Sequence, residues 1–346
     1  MNWILHSKPW ITDEDKQAVA NVMASGNVGA GEITKAFEKE FAEWVGSPVS
    51  GVAVSSGTAA VYLALKTIDI KEGDEVIIPT YVCHNVAEAV ISSGAIPVLS
   101  DVGPNWVIEL ENVAPLITKK TKAVIVPHVY GIFADVTEFK KLGLTIIEDC
   151  AQAIGDKSID KINGDIAVFS FQPTKCLTTG EGGMLVSLNE KTCKKAMQLR
   201  DGSAESVMMK VFSPMSDINS ALGLSQLQRY TEFLNKRRKI AGKYLIDVSA
   251  INQLLINYDA KASSMYFRLP IRVKGGLQKY QPLFAEKKIH IRKGVDRLLH
   301  RLMGKPDSEF PVATNLFDTT ISLPIYPALT EQELERCLAS LSILKD

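Results

Sequence analysis

Short apolar runs separated by helix-like segments constrain the fold of this chain more than any other feature of its sequence. The runs DEVIIP from Asp74, KAVIVP from Lys122 and LTIIED from Leu144 are apolar almost throughout, and segments such as NVAEAVISSG from Asn85 space their apolar residues as helices do. Strands that are apolar on both faces are typical of a mostly parallel sheet with helices on either side. The sequence therefore predicts an α/β fold.

The alternation of strands and helices does not continue to the end of the 346-residue chain. One long helix is predicted from an N-cap at Ser216, and beyond it strands such as IHIRKGV from Ile289 mix with helices in a different order. We therefore expect a large α/β domain at residues 1–235 and a smaller α+β domain at residues 236–346.

Composition excludes several classes of function. Lysine and arginine together number 39, as do aspartate and glutamate, so there is no basic excess for nucleic acid or an anionic membrane. The amino terminus lacks the features of a signal peptide, and no stretch reaches the roughly 20 apolar residues that span a bilayer. The cysteines show no CxxC pair and the histidines no HxxxH pair, which argues against disulfides and against a metal site. We expect a cytoplasmic protein.

The segment FSFQPTKCLTTGEGG, from Phe169 to Gly183, places Lys175 in a glycine-rich loop after a strand-like run. Open α/β sheets bind ligands at the carboxyl ends of their strands, and a partly desolvated lysine amine there can form a Schiff base with a carbonyl. The alternative is an ordinary solvated lysine on the surface.

Two other strand ends carry polar groups. The turn SSGT from Ser55 precedes a helix, where free backbone N–H groups would bind an anion, although an ordinary N-cap explains the same residues. Asp149 ends the run LTIIED, where it either caps the next turn or pairs with a protonated heterocyclic nitrogen. With Lys175, these groups match the phosphate, ring nitrogen and aldehyde of pyridoxal 5′-phosphate.

A series of motifs extends this match along the chain. In order they are SSGTAAVYLAL from Ser55, GDEVIIPTYV from Gly73, GAIPVLSDV from Gly94, PHVYGIFAD from Pro127, IIEDCAQAIG from Ile146, GDIAVFSFQPTK from Gly164, GEGGMLV from Gly180, MSDINSALGLSQL from Met215 and LPIYPALTEQE from Leu323. The ordered set resembles the DegT/DnrJ/StrS-type sugar aminotransferases nearly from end to end. The resemblance implies fold type I, the aspartate aminotransferase-like fold.

The resemblance also implies roles for individual residues. Lys175 would form the Schiff base with pyridoxal phosphate and act as the catalytic base, Asp149 would pair with the ring nitrogen, and Gln152 would hydrogen-bond the phenolic oxygen. The phosphate would be held by Gly57, Thr58 and Ser170. The implied reaction moves an amino group from L-glutamate to a nucleotide-linked keto-deoxy sugar, for a surface polysaccharide, glycan or antibiotic.

Two stretches depart from the family pattern. Where many relatives place an aromatic residue against the cofactor ring, this chain has Cys83, with Tyr81 and His84 beside it. A cysteine there is either a cofactor contact or a small packing residue. Relatives often carry an asparagine that reaches the partner subunit's cofactor where this chain has Phe212 and Pro214. The family still implies a homodimer with active sites at its interface.

The segment HIRKGVDRLLH from His290 resembles the family segment that lines the substrate end of the site. Arg292 and His300, together with His84, are therefore candidates for contacting a nucleotide diphosphate or the carboxylate of the donor. Surface or packing roles would explain the same residues.

Three other functions are less favoured. Sugar 3-dehydratases of the same family carry histidine at the position of Lys175. A non-catalytic protein that keeps the fold would have lost Lys175 or Asp149. An NAD-linked sugar enzyme would show GxGxxG after an early strand, and no such motif follows one here.

Overall fold

The computed structural model describes residues 2–157, 161–202, 214–251 and 265–345. The strands are β1 (Val52–Val54), β2 (Glu75–Pro79), β3 (Ile96–Ser100), β4 (Thr121–Pro127), β5 (Thr145–Asp149), β6 (Ile166–Ser170), β7 (Gly183–Val186), β8 (Pro270–Arg272) and β9 (Thr320–Ser322). The α-helices are α1 (Asp13–Ser25), α2 (Glu32–Trp44), α3 (Gly57–Thr67), α4 (His84–Ser92), α5 (Leu110–Val113), α6 (Val136–Phe139), α7 (Glu190–Asp201), α8 (Asp217–Gln228), α9 (Tyr230–Ile251), α10 (Gly276–Glu286), α11 (Leu299–Leu302), α12 (Pro311–Thr319) and α13 (Glu331–Ala339). Within these ranges, none of the helices combines the length and the apolar character needed to cross a bilayer.

One seven-stranded sheet organises the larger part of the molecule. Its order is β3-β2-β4-β5-β6-β7-β1, and β8 and β9 form a separate antiparallel pair. Neighbours in the large sheet are parallel, except that β7 runs antiparallel to both β6 and β1. Almost every residue of β4, β5 and β6 is buried, because helices cover both faces. The predicted mostly parallel α/β sheet is confirmed.

The register of the central strands sets the positions of the polar groups at their ends. Asp149, the last residue of β5, lies opposite Pro127 on β4 and Val168 on β6. Ser170 ends β6 two residues later and lies opposite Gly183. The carboxyl ends of β5 and β6 therefore meet at the same edge of the sheet.

The prediction of one long helix from Ser216 is wrong in part. Ser216 caps α8 as expected, but α8 ends at Gln228, and Arg229 leaves the helical conformation before α9 begins at Tyr230. The helix α8 packs against α1 and α2, whereas α9 packs against α13 and the turns after it. One straight helix could not make both sets of contacts, so the chain bends between them.

The run IHIRKGV from Ile289 does not form the expected strand. Among the described residues it makes only isolated bridges, between Ile289 and Ile4 and between Arg292 and Ser322. The next two carbonyls, of Lys293 and Gly294, accept hydrogen bonds from a side chain, that of Arg268, instead of from a neighbouring strand.

Three clusters of buried apolar side chains stabilise the molecule. Two contain the residues of the seven-stranded sheet and its helices, and the third is built from α9, α10, α13, β8 and β9 together with Ile4. Side chains between Val295 and Phe317 join one of the sheet clusters. The division into domains at residues 1–235 and 236–346 stays a prediction.

Candidate active site

A cavity of about 570 Å³ lies where β5 and β6 end. Its walls come from the turn before α3, the start of α4, the loops after β5 and β6, and two segments near residues 267 and 294. The structure brings most of the predicted site residues into this cavity. They are Gly57, Thr58, Cys83, His84, Asp149, Gln152, Ser170, Lys175 and Arg292.

Lys175 lies in a loop that is held in place by hydrogen bonds within the loop. Its N–H donates to the Gln172 carbonyl at 2.9 Å, and the Phe171 carbonyl accepts from both Thr178 Oγ1 at 2.8 Å and Thr179 N–H at 3.0 Å. Lys175 Nζ makes no hydrogen bond or ion pair with any residue that the structure describes, and lies 5.6 Å from the centre of the Phe267 ring. Burial lowers the pKa of Lys175, and the charge of Asp149 opposes this only in part. A lowered pKa increases the fraction of this lysine that is a neutral amine at a given pH.

Asp149 is a buried carboxylate, 7% exposed, with little to satisfy its charge. The Ala151 N–H donates to its Oδ1 at 3.0 Å, and no other described residue donates to it. Burial raises the pKa of the Asp149 carboxyl, while the Ala151 N–H, Lys175 and His128 lower it to a smaller extent. An under-satisfied buried carboxylate that lines a cavity is suited to a ligand that brings a proton or a positive charge.

The amino terminus of α3 forms the third part of the site. Ser56 caps the helix, accepting from Ala59 N–H at 3.1 Å through its hydroxyl and from Ala60 N–H at 3.0 Å through its carbonyl. The N–H groups of Gly57 and Thr58 have no acceptor among the described residues, as is usual for the first turn of a helix. These two donors face the cavity and are free for an anion.

The closeness of Gly57 and Ser170 shapes this anion site. A Cβ added to Gly57 would lie 2.7 Å from Ser170 Cβ and 3.0 Å from Ser170 Oγ, so no larger residue fits. The half-buried Ser170 hydroxyl therefore stands beside the two free N–H groups. Together these groups form a cradle for a phosphate.

Gln152 is held by an unusual backbone at Tyr130. Tyr130 has φ 62°, a left-handed conformation that is rare for a bulky residue, and its N–H donates to Gln152 Oε1 at 2.9 Å. Because Oε1 is used in this way, Gln152 Nε2 is the group left to donate to a ligand in the cavity. This agrees with the role that the resemblance implies for Gln152.

The residues of the stretch that departs from the family pattern separate in the structure. Cys83 lines the cavity as an exposed thiol, 3.0 Å from Asn85 Oδ1, and its pKa is raised by desolvation. His84, also exposed, lies 3.9 Å from Glu88. Tyr81 is instead fully buried, with its hydroxyl 2.9 Å from that of Tyr130. Cys83 and His84 thus line the cavity and Tyr81 does not, and the cofactor contact at Cys83 stays a prediction. Of the second departure, Phe212 lies outside the described residues.

His300 does not line the cavity, contrary to its selection as a substrate contact. The ring is fully buried, with Nδ1 at 2.7 Å from Thr80 Oγ1 and Nε2 at 2.9 Å from Asp307. It also stacks on Phe310. Both ring nitrogens are engaged, so His300 holds α11 against the end of β2 and is not carried forward as a substrate residue.

Sequence reasoning missed several cavity residues, and two of them lie close to Lys175. Phe267 and Arg268 enter the cavity from the segment before β8. The signal was present, since Arg268 interrupts the apolar run MYFRLPI, where a charge is costly unless it has a purpose. Its surroundings are considered below.

A larger groove of about 960 Å³ lies between α1, α8 and the start of α2. Its buried carboxylate, Asp217, accepts hydrogen bonds from Gly31 N–H and Thr34 N–H, both at 2.8 Å, and so caps α2 from outside. The residues that line this groove include no lysine or arginine. The smaller cavity, which contains an amine, a carboxylate and an anion cradle, is the better candidate for chemistry.

The residues of the smaller cavity fit pyridoxal phosphate. An amine with a lowered pKa is present for its aldehyde, a carboxylate with spare acceptor capacity for its protonated ring nitrogen, and a helix terminus with a hydroxyl for its phosphate. Each of these groups lacks a satisfying partner in the described part of the chain. Bound pyridoxal phosphate would supply a partner for each of these groups.

Comparison with known proteins agrees with this fit. The model of the DegT/DnrJ/EryC1/StrS aminotransferase family matches residues 9–342. The spore coat polysaccharide biosynthesis protein SpsC of Bacillus subtilis is 32% identical, over 96% of this chain and 95% of that protein. The dTDP-4-dehydro-2,3,6-trideoxy-D-glucose 4-aminotransferase of Saccharopolyspora spinosa is 31% identical, over 94% of this chain and 93% of that protein.

Solved structures agree on the fold as well. The aminotransferase TlmJ from Streptoalloteichus hindustanus superposes with a TM-score of 0.90 at 26% sequence identity, covering 99% of this chain and 98% of that chain. The expected fold type I is confirmed over nearly the whole length.

Proposed function

Because the chain belongs to the DegT/DnrJ/EryC1/StrS aminotransferase family, we propose that it is a pyridoxal phosphate-dependent sugar aminotransferase. The amino group would come from L-glutamate and pass to the keto carbon of a nucleotide-linked keto-deoxy sugar. The observation that carries this proposal is the meeting of Lys175, Asp149 and the start of α3 in one cavity. Aminotransferase and polysaccharide functions among the relatives support it.

Four parts of the cavity would hold the cofactor. Lys175 would be joined to it through a Schiff base, Asp149 would face its ring nitrogen, and Gln152 would donate to its phenolic oxygen. The phosphate would lie against Gly57, Thr58 and Ser170. When bound, pyridoxal phosphate supplies an electron-accepting ring that stabilises the loss of a proton from the α-carbon of an attached amine.

Asp149 would keep the ring nitrogen protonated. A carboxylate in a poorly solvated position binds a cationic N–H strongly, because little water competes for it. The raised pKa of Asp149 records the cost of leaving this charge without a partner. Pairing with a protonated nitrogen would remove that cost.

Lys175 would act as the base that carries the proton. Its lowered pKa favours a neutral amine, whose Nζ can take a proton from the carbon next to the amino group and return one to the former keto carbon. The same lysine argues against the dehydratase alternative, whose members carry histidine at this position.

Arg292 is the candidate contact for the nucleotide part of the acceptor. Its side chain is 51% exposed at the rim of the cavity, 3.9 Å from Asp296, and Arg297 lies close by on the same rim. An exposed cation at a rim suits a diphosphate that remains partly in solvent. A homodimer with active sites at its interface is also part of this proposal.

The proposal is tested by following nitrogen into the acceptor. The purified protein, loaded with pyridoxal phosphate, would be given nitrogen-15-labelled L-glutamate and keto-deoxy sugars linked to dTDP, UDP or GDP. We expect one of these acceptors to gain the labelled amine by mass spectrometry, with one 2-oxoglutarate formed for each amine. A dehydratase would remove a hydroxyl group from the sugar without transferring nitrogen to it. That result would contradict the proposal.

A further inference from the structure

Arg268 is a cavity residue whose positive charge has no anionic partner in the described part of the chain. Its Nη1 donates to the backbone carbonyls of Lys293 and Gly294, the second at 3.4 Å. Its Nε is buried and has no acceptor, and no described carboxylate lies within ion-pair distance of the guanidinium. Three of the five N–H donors, those on Nε and Nη2, therefore have no acceptor in the described part of the chain.

An unpaired guanidinium in such a place is costly. Burial lowers the pKa of Arg268, and the charge of Arg292 adds to this, yet an arginine stays protonated at any physiological pH. The charge cannot be removed by losing a proton, so it has to be compensated by an anion or by solvent. Tyr81 and Tyr130, whose hydroxyls lie near Arg268, carry no charge at neutral pH, and the charge of Asp296 acts on Arg268 less strongly than its burial does.

The position of Arg268 relative to Lys175 indicates which anion this is. Both side chains lie near the ring of Phe267, with Arg268 Cζ at 5.3 Å and Lys175 Nζ at 5.6 Å from the ring centre. The charge of Arg268 also helps to lower the pKa of Lys175, so an anion on Arg268 would act close to the amine where the amino group is exchanged. A carboxylate only a few bonds from the reacting nitrogen meets this requirement, as in an amino acid.

The other arginines of the cavity are placed differently. Arg292 and Arg297 are exposed at its rim, and Arg292 has Asp296 beside it. The cavity therefore has an inner cation near Lys175 and outer cations towards solvent. A site that binds a small donor and then a large acceptor can use the inner cation for the donor and the outer cations for the acceptor.

We propose that Arg268 binds a carboxylate of the amino-acid donor, and so selects a small anionic amine for the loading half of the reaction. This inference rests on the proposed function. The donor carboxylate would pair with the unused N–H groups of the guanidinium, while Nη1 keeps its bonds to Lys293 and Gly294. The charge-assisted, two-pronged geometry of such a pair explains why an arginine, and not a lysine, occupies this position.

The test compares Arg268→Met with a matched control, Arg336→Met. Arg336 also donates to backbone carbonyls, those of Asn2 and Lys287, but is half-buried and does not line the cavity. Binding of glutarate, an unreactive dicarboxylate, to the holoenzyme would be measured by calorimetry. The rate at which L-glutamate removes the visible absorption of the lysine-bound cofactor would be measured alongside.

We expect Arg268→Met to weaken both glutarate and L-glutamate binding by about 10- to 100-fold, as for other hydrogen bonds to charged groups. Arg268→Lys should recover part of this loss, and Arg336→Met should bind both as the wild type does. Arg268→Met should affect the reaction of butylamine, which has no carboxylate, much less than the reaction of L-glutamate. If Arg268→Met does not fold, Arg268→Gln carries the same test.

Equal affinity of the wild type and the variant for glutarate would overturn the inference. So would a loss that extends equally to the sugar acceptor and to thermal stability, since that pattern indicates a purely structural arginine. Failure of the wild type to react with L-glutamate or any other amino acid would instead contradict the proposed function. The two failures are therefore distinguishable.

Discussion

Glu148 and Asp149 are neighbours at the end of β5, yet they occupy opposite faces of the sheet and meet opposite surroundings. Glu148, on the packed face, accepts from His128 Nε2 at 2.8 Å and from the N–H groups of Asn163, at 2.6 Å, and Gly164. Asp149, on the cavity face, receives one N–H in the described part of the chain. Both are buried, so burial alone does not separate a structural carboxylate from a functional one.

The pKa values record the same difference. Burial would raise the pKa of Glu148, but the His128 hydrogen bond and the two backbone N–H groups hold it below its usual value. Burial raises the pKa of Asp149 because its few partners do not compensate. Glu148, on the packed face, has its charge compensated by groups of the protein. Asp149, on the cavity face, has a charge that a ligand could compensate. We therefore expect mutations on the cavity face to remove activity and those on the packed face to remove stability.

The largest effect on the cavity face should come from Lys175→Ala. Transamination should fall by about 10⁴-fold or more, since the base and the covalent attachment are both lost. The variant should still bind pyridoxal phosphate, through Asp149 and the start of α3, without the visible absorption of the lysine-bound form. Lys195→Ala, which removes only a surface ion pair with Asp69, is the control and should stay active. Normal turnover by purified Lys175→Ala would refute the assigned role.

Asp149→Asn should separate activity from stability. Cofactor affinity and turnover should each fall by about 10- to 100-fold, because a charged hydrogen-bond partner is replaced by a neutral one. The cofactor-free variant should be at least as stable as the wild type, since the lost charge was poorly solvated. Thermal unfolding with and without pyridoxal phosphate measures both. A large loss of stability without cofactor would place Asp149 among the structural carboxylates.

Glu148→Ala should show the reverse pattern. Its loss leaves the Asn163 and Gly164 N–H groups and His128 without a buried partner, so the free energy of unfolding should fall by about 3–5 kcal/mol. Because the folded pKa of Glu148 is lowered, its stabilisation is present above its ordinary pKa of 4.5 and is lost as the pH falls through the folded value. Urea unfolding of the variant and the wild type at neutral and acidic pH tests both expectations. A difference between them that did not shrink in acid would contradict this explanation.

The smallest effects concern the pKa of Lys175, and they have opposite signs. The Asp149 charge raises this pKa and the Arg268 charge lowers it, so Asp149→Asn should move it down and Arg268→Met should move it up. Only the neutral amine attacks the aldehyde, so the rate of cofactor attachment should rise with pH through this value, which lies below 10.5 in the wild type. Stopped-flow measurements of the attachment rate against pH give the inflection point for the wild type and for each of the two variants. Shifts of the same sign in both variants would rule out the arrangement of charges around Lys175.

The sequence predicted the sheet, and it predicted several of the residues that line the candidate site, because both depend on local patterns. Apolar runs placed β4, β5 and β6, and the ends of these strands placed Asp149 and Lys175 on the same edge. The bend at Arg229 was not predictable from periodicity, because α8 and α9 share one helical pattern and separate only through what they pack against.

The surroundings of individual side chains could not be predicted from the sequence either. His300 was selected for its segment, but its two ring nitrogens are taken by Thr80 and Asp307, each from another part of the chain. Arg268 was overlooked because its partnerless state appears only once the residues around it are known. The left-handed backbone conformation of Tyr130, which orients Gln152, could not be predicted either, because tyrosine rarely adopts it.

The most direct test of the central claim is to find which residue holds the cofactor. Purified protein would be loaded with pyridoxal phosphate, and the visible absorption recorded before and after L-glutamate; a second sample would be reduced with borohydride and mapped by mass spectrometry. We expect the band to disappear with L-glutamate, to return with 2-oxoglutarate, and the reduced label to lie on Lys175. A label on another lysine, or no visible band in the wild type, would contradict the site proposed here.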